Sequence, residues 1–326
     1  MEYKKNLKEK LGDLNLVRLI ILSIFVIILM SLIVPSRFFG LKNFQSMSFQ
    51  FPEFGLFSIA MALAMFTGGA DLSIVSTGNL AAIVGGKCIK EIIVLQKGIP
   101  EGILVFVALL IALVVGVICG LINGILISKA KIPPILTTLG TMQLFSGVSI
   151  ILTRGTSLYG FPESFNNLGN GFFLDVVPYP LVIFIIMAAI FTFVIQKTSF
   201  GVKLFFIGSN RMAASYSGIN CNDIITKSYL FSGVLSAVAG FIILARTNSA
   251  NADYGGAYIL QAMLVAIMGG VDPRGGRGKI TGIIIAIITL QLLSSGLNML
   301  NVNIYFKQVV FGGLLLIMVI LNRKNK

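Results

Sequence analysis

From Ile103 to Ile127 the chain carries no charged side chain, a longer run than the ~20 apolar residues with which an α-helix crosses a bilayer core. Runs of this kind recur along the sequence, and they restrict the fold more than any other feature. Hydrocarbon offers no water to bond the backbone, so a spanning segment must satisfy its own N–H and C=O groups, and a helix does that internally. The 326 residues are 56% hydrophobic and 11% charged, whereas roughly 25% charged is usual in soluble domains. The expected fold is an all-α integral membrane protein, a polytopic helical bundle.

The apolar runs predict about ten spans, at 16–34, 54–67, 74–95, 103–127, 135–152, 179–196, 228–245, 257–270, 280–299 and 306–321. Residues 1–15 form a basic N-terminus, 16–321 one membrane domain, and 322–326 a C-terminal tail. The first run follows positive charge as a signal peptide does, but it is too long and lacks a cleavage site, so it reads as a retained span. Phe54–Thr67 and Ala257–Gly270 are short for a span, and each ends in a glycine pair followed by an acid, Asp71 or Asp272. Corresponding broken segments are one mark of inverted repeats. With the N-terminus inside, seventeen of the 25 Lys and Arg residues fall on the inner side, as the positive-inside rule requires. Both termini and the loop at 198–227 are then expected to be cytoplasmic.

The net charge of +13 does not indicate nucleic acid, because the cations sit at the ends of apolar runs. Cys88, Cys119 and Cys221 have no paired spacing, and the chain contains no His, so neither a metal site nor a disulfide framework is expected. No catalytic constellation is found. The loop from Gly269 to Lys279 looks faintly like a phosphate-binding loop, but Ile280 follows Gly278-Lys279 where Ser or Thr is required. It reads as a tight turn. Intramembrane acids are nearly absent, which argues against a carboxylate proton relay.

Four stretches break the apolar pattern. In Thr67–Asn79 the glycines free the backbone, and Asp71 and Ser73 either cap the next helix or place Asp71 at a gate in the pathway. Gly116, Gly120 and Gly124 form a stripe that lets two helices approach closely, with Asn123 beside it. Pro133 and Pro134 suit a helix start, and Thr137, Thr138, Thr141 and Gln143 after them line a path or bond neighbouring helices. In Thr198–Asn220, Ser209 or Asn210 can N-cap a short helix and Gly218 can end it. Ala213, Ala214 and Ser217 share a small-residue face of that helix, beside Met212 and Tyr216. It is either a capped surface helix or a coupling helix that carries motion from a soluble motor. A transporter without its own ion relay or nucleotide loop needs such a motor, and a bulky residue at Ala214 is expected to uncouple it.

Taken in order, Gly68–Ser73, Gly120–Gly124, Ile132–Thr141, Thr198–Gly201, the Gly208–Asn220 loop, Gly269–Gly278 and Ser295–Asn298 resemble the membrane permease subunit of bacterial ABC importers of the ribose type. That branch also serves other simple sugars and autoinducer-2. The resemblance runs from about residue 54 to 321. It implies a permease of the bacterial cytoplasmic (inner) membrane that works as a homodimer or with a related permease. Cytoplasmic ATPase subunits would use the ATP and Mg, this chain binding no cofactor itself, and an extracytoplasmic binding protein would deliver substrate. It matches Gly208, Asn210, Arg211, Ala213, Ala214, Ser217 and Gly218 to the family's ATPase-coupling loop. Asp71, Asn79, Asn123, Gln143, Gln261 and Asn298 are the candidate pathway or gate residues. The substrate expected is a ribose-like monosaccharide; autoinducer-2 or nucleosides are alternatives, and an ion-coupled carrier is a third.

Overall fold

A computed structural model describes residues 2–33, 38–95 and 98–324. Six of its helices are long and apolar enough to cross a membrane. In chain order the helices are α1 (Glu2–Ile33), α2 (Leu41–Phe66), α3 (Ile74–Leu95), α4 (Glu101–Ser128), α5 (Pro134–Thr153) and α6 (Glu163–Asn170). They continue with α7 (Tyr179–Lys197), α8 (Ser199–Ser209), α9 (Arg211–Tyr216), α10 (Cys221–Thr247), α11 (Tyr258–Met268), α12 (Ile280–Met299) and α13 (Ile304–Lys324). Two-residue strands pair antiparallel as β1 (Leu158–Tyr159) with β4 (Ser249–Ala250), and β2 (Phe172–Phe173) with β3 (Val177–Pro178).

The all-helical expectation holds at this level. The long apolar helices are α2, α4, α5, α7, α10 and α12. By the same measure α3 is excluded because Lys87, Lys90 and Glu91 fall inside it, and the apolar parts of α1 and α13 are shorter.

Helices α2 and α10 form the centre. From Phe54 to Phe66 every residue of α2 is buried, and most of α10 is as well. A helix that is apolar all round belongs in an interior. α4 lies along α10 by way of the glycine stripe: a Cβ at Gly120 would sit 2.5 Å from the Tyr229 carbonyl oxygen, and one at Gly124 would sit 2.8 Å from the Thr226 Cα. Ser128 and Thr226 hydroxyls bond across the same contact at 2.8 Å. The stripe is therefore packing, as its spacing indicates.

Two boundaries differ from the sequence reading. The segment expected at Phe54–Thr67 starts at Leu41 and is 26 residues long; Pro52, inside the helix, and the polar residues before it hid its continuity. The passage after Thr198 is not an open loop, because Ser199–Ser209 forms a helix with Gly201, Leu204 and Ile207 turned inward. By contrast, α11 is short, as expected: its 11 residues span about 17 Å. α2 and α11 end alike. Gly69 N–H reaches back to the Ala64 carbonyl and Gly68 N–H to Met65; Val271 and Gly270 repeat this on Ala266 and Ile267. Gly68 and Gly270 take φ of 84° and 87°, a left-handed conformation that costs glycine nothing.

Candidate functional site: a buried polar clamp and the coupling segment

After α2 unwinds at Gly68, the chain carries Asp71 into the interior, where it is 2% exposed. Its Oδ1 accepts from the Ser73 backbone N–H at 3.1 Å and from the Ser73 hydroxyl at 2.6 Å. Its Oδ2 accepts from Ser232 of α10 at 2.8 Å. Ser73 Oγ in turn accepts from the Asn123 amide of α4 at 2.8 Å, and Asn123 Oδ1 accepts from Thr141 of α5 at 2.7 Å. Thr138 of α5 donates to the Ala70 carbonyl at 3.1 Å. From Thr141 through Asn123 and Ser73, and from Ser232, each proton points toward the carboxylate, which takes three donors and acts only as acceptor. Asp71 is thus both a cap for the turn entering α3 and a clamp on the α2–α3 turn, α4, α5 and α10. The Tyr229 hydroxyl beside this turn is buried without a partner among the described residues.

Sequence reasoning passed over a second buried acid. Glu53 is 1% exposed and holds Arg246, from the last turn of α10, with two bonds of 2.8 and 3.1 Å. The Tyr258 hydroxyl at the start of α11 donates to it at 2.6 Å. Buried acids are therefore less scarce than expected, but all the oxygens of both are committed to this chain's own side chains. Glu53 escaped notice because it was placed one residue outside a span. Its signal was the lone acid beside Pro52, matched by a cation closing a later apolar run.

The other pathway candidates do not join Asp71 and Asn123. Asn79 spends its amide protons on the carbonyls of Ala252 and Tyr254, both at 2.8 Å, and so pins the loop before α11. Gln143 is exposed on α5 and Gln261 is half-buried on α11. Asn298 is exposed at the opposite end of the bundle, where it accepts from Lys307.

The coupling candidates lie on α9 and the residues that cap and close it, except Gly208 in the last turn of α8. Asn210 is the N-cap, accepting from Ala213 N–H at 3.0 Å, and Gly218 closes the helix with φ 77°. Arg211 folds back to Asn222 at 3.1 Å, and Ser217 donates to the Ala213 carbonyl. Of the small-residue face only Ala214 turns fully inward; Ala213 is half-buried and Ser217 is exposed. Ala214 is 0% exposed, while Met212 and Tyr216 are 68% and 86% exposed. Ala214 seats the helix on its own protein, so a bulky residue there would disturb folding before it disturbed any partner. Met212 and Tyr216 face outward, with Ser217 beside them.

α9 is also tied to the Asp71 turn. Gly276 N–H bonds to the Phe66 carbonyl at 3.0 Å. A Cβ at Gly208 would collide with that same carbonyl and with Gly276 N, and one at Gly275 would sit 2.6 Å from Gly68 N. Three backbone segments meet here with no side chain between them: the end of α2, the Gly275–Gly276 loop and the end of α8. The Gly269–Lys279 loop is therefore more than a turn. Among the described residues no group of His, Cys, Asp and Glu is placed to hold a metal.

Six helices long and apolar enough to cross a membrane, together with the family match over most of the chain, make this a polytopic membrane permease component. The chain belongs to the branched-chain amino acid transport system / permease component family, whose model matches residues 43–319, and it is a multi-pass protein of the bacterial cytoplasmic membrane. It is 34% identical over 307 residues to the ribose import permease protein RbsC of Bacillus subtilis, covering 93% of this chain and 92% of that protein. It is 32% identical over 274 residues to the autoinducer 2 import system permease protein LsrD of Escherichia coli strain K12, covering 82% and 79%. No solved structure matches the chain.

Proposed function

We propose that the chain is the membrane-spanning permease subunit of an ATP-binding-cassette importer that moves a ribose-like monosaccharide into the cytoplasm. Separate ATPase subunits hydrolyse ATP, an extracytoplasmic binding protein delivers the sugar, and a second permease copy or paralogue completes the pathway. Both termini and α9 face the cytoplasm. The observation that carries this reading is the seating of α9. Its outward Met212 and Tyr216 offer a partner a compact apolar contact, and its root at Gly208 rests on the carbonyl of Phe66, five residues before Asp71. A push on α9 therefore reaches the α2–α3 turn through touching backbone. Asp71 and Asn123 act as the inner gate, closed by the hydrogen bonds described above.

The similarity to the ribose permease supports the sugar; the similarity to the autoinducer 2 permease supports a second reading in which the substrate is that sugar-derived signal. A self-sufficient ion-coupled carrier is disfavoured, because every oxygen of Asp71 and Glu53 already accepts a hydrogen bond from this chain. The test is Tyr216→Arg in the assembled transporter. The expected result is loss of ATPase co-purification with this subunit still in the membrane. Retained co-purification and uptake would refute the docking face.

A further inference from the structure

A pocket of about 560 Å³ opens between the first turns of α2 and the last turns of α12. It lies at the end of α2 opposite the glycine joint, about 39 Å away along a helix of this length. Its chemistry is consistent throughout. Gly40 gives α2 no side-chain cap, and Gly40, Leu41 and Lys42 line the pocket. The first N–H groups of a helix lack intrahelical partners and carry the positive end of its dipole, a setting that favours an anion. Lys42 adds a cation, and Lys307 lies close by, bonded to Asn298. No carboxylate lines the pocket among the described residues.

The independent observation is Gln291. It is 6% exposed, it lines the pocket, and it makes no hydrogen bond among the described residues. Its amide is not fully enclosed, so it opens to the cavity; a donor and an acceptor so placed are matched by a hydroxyl, which gives and takes a proton. The wall around it is already fixed: Ser295 donates to Asn43 at 2.6 Å, and Asn43 donates to the Phe38 carbonyl at 2.8 Å. Leu41 is an exposed lining residue, and Phe44, Tyr305 and Phe306 are exposed in the first turns of α2 and α13, the mixture of apolar and aromatic side chains found where a helix meets the bilayer interface.

We infer that this pocket binds a phosphate ester bearing free hydroxyls, the phosphate at the α2 N-terminus and Lys42, a hydroxyl on Gln291. A neutral sugar would use the amide and leave the positive end idle. The chemistry has two sources, the headgroup of a phosphatidylglycerol lipid or a soluble glycerol phosphate, and the test separates them. The full chain is prepared in nanodiscs of mixed phosphatidylglycerol and phosphatidylcholine, and retained lipid is read by native mass spectrometry. In parallel, thermal unfolding in detergent is followed with glycerol 3-phosphate or ribose added. Gln291→Leu keeps the volume and Lys42→Gln is a surface change, so neither threatens folding. Each is expected to weaken binding of the phosphate ester about fivefold. Selective retention of phosphatidylglycerol that drops in both variants establishes the lipid source; stabilisation by glycerol 3-phosphate alone, lost in both, establishes the soluble one. Equal retention of both lipids with no stabilisation, effects unchanged in the variants, or stabilisation by ribose alone would overturn the inference. The measurement uses no ATPase subunit, so its failure leaves the import reading intact.

Discussion

Asp71 is the residue on which four segments converge, and its substitutions should separate charge from connection. Asp71→Ala strands three buried donors, each worth about 1–3 kcal/mol when unsatisfied, so thermal unfolding in detergent should show a loss of several degrees or failure to accumulate. Asp71→Asn keeps one acceptor oxygen and should lose about half as much. A stable Asp71→Ala protein would show that the clamp holds nothing. Glu53 and Arg246 make a different argument, because each is costly mainly without the other. Glu53→Gln should destabilise by about 2–3 kcal/mol, somewhat less than a fully buried pair, since the Arg246 side chain is 27% exposed. Combining it with Arg246→Met should restore part of that loss in a double-mutant cycle. Strictly additive losses would deny the coupling. The sequence displayed Asp71 because a charge beside two glycines interrupts an apolar run. It displayed Glu53 poorly, because helical continuity through Pro52 is a tertiary outcome.

Among the elements, the sharpest contacts are those made by glycine. α4 touches α10 along Gly116, Gly120 and Gly124, so Gly120→Leu should wedge the two apart and lower stability by roughly 1–3 kcal/mol or more, seen as reduced folded yield and an earlier unfolding transition. Wild-type stability there would mean that α4 is free to move away. The joint of Gly208, Gly275 and Gly276 should behave differently, since it sits at the end of the bundle rather than in its centre. Gly208→Ala should force the three segments apart, lowering both the unfolding temperature and the uptake per ATP hydrolysed; unchanged stability and coupling would remove the joint from the mechanism. The spacing of the α4 stripe told its role in advance, because four-residue periodicity maps directly onto one helix face. The joint was hidden, since it unites residues 68, 208 and 276, and no local pattern carries contacts of that range. α9 was half legible: its Asn210 cap and Gly218 stop were written in the sequence, but the direction in which its small face turns depends on what α10 leaves for Ala214 to fill.

At the scale of the whole molecule, apolar run lengths fix the class and leave the details to packing. A span count made from hydropathy treats α3 as a crossing helix despite its Lys87, Lys90 and Glu91, and it cannot see that α2 reaches back to Leu41. The central claim is that the chain does no work alone and receives force through α9. The direct test is uptake of labelled ribose into vesicles. The chain is reconstituted with and without its ATPase subunits, with binding protein and ribose outside and ATP enclosed on the ATPase side. The account predicts accumulation only with ATPase and ATP together, abolished by Tyr216→Arg. Accumulation driven by a cation gradient in vesicles holding this chain alone would contradict it.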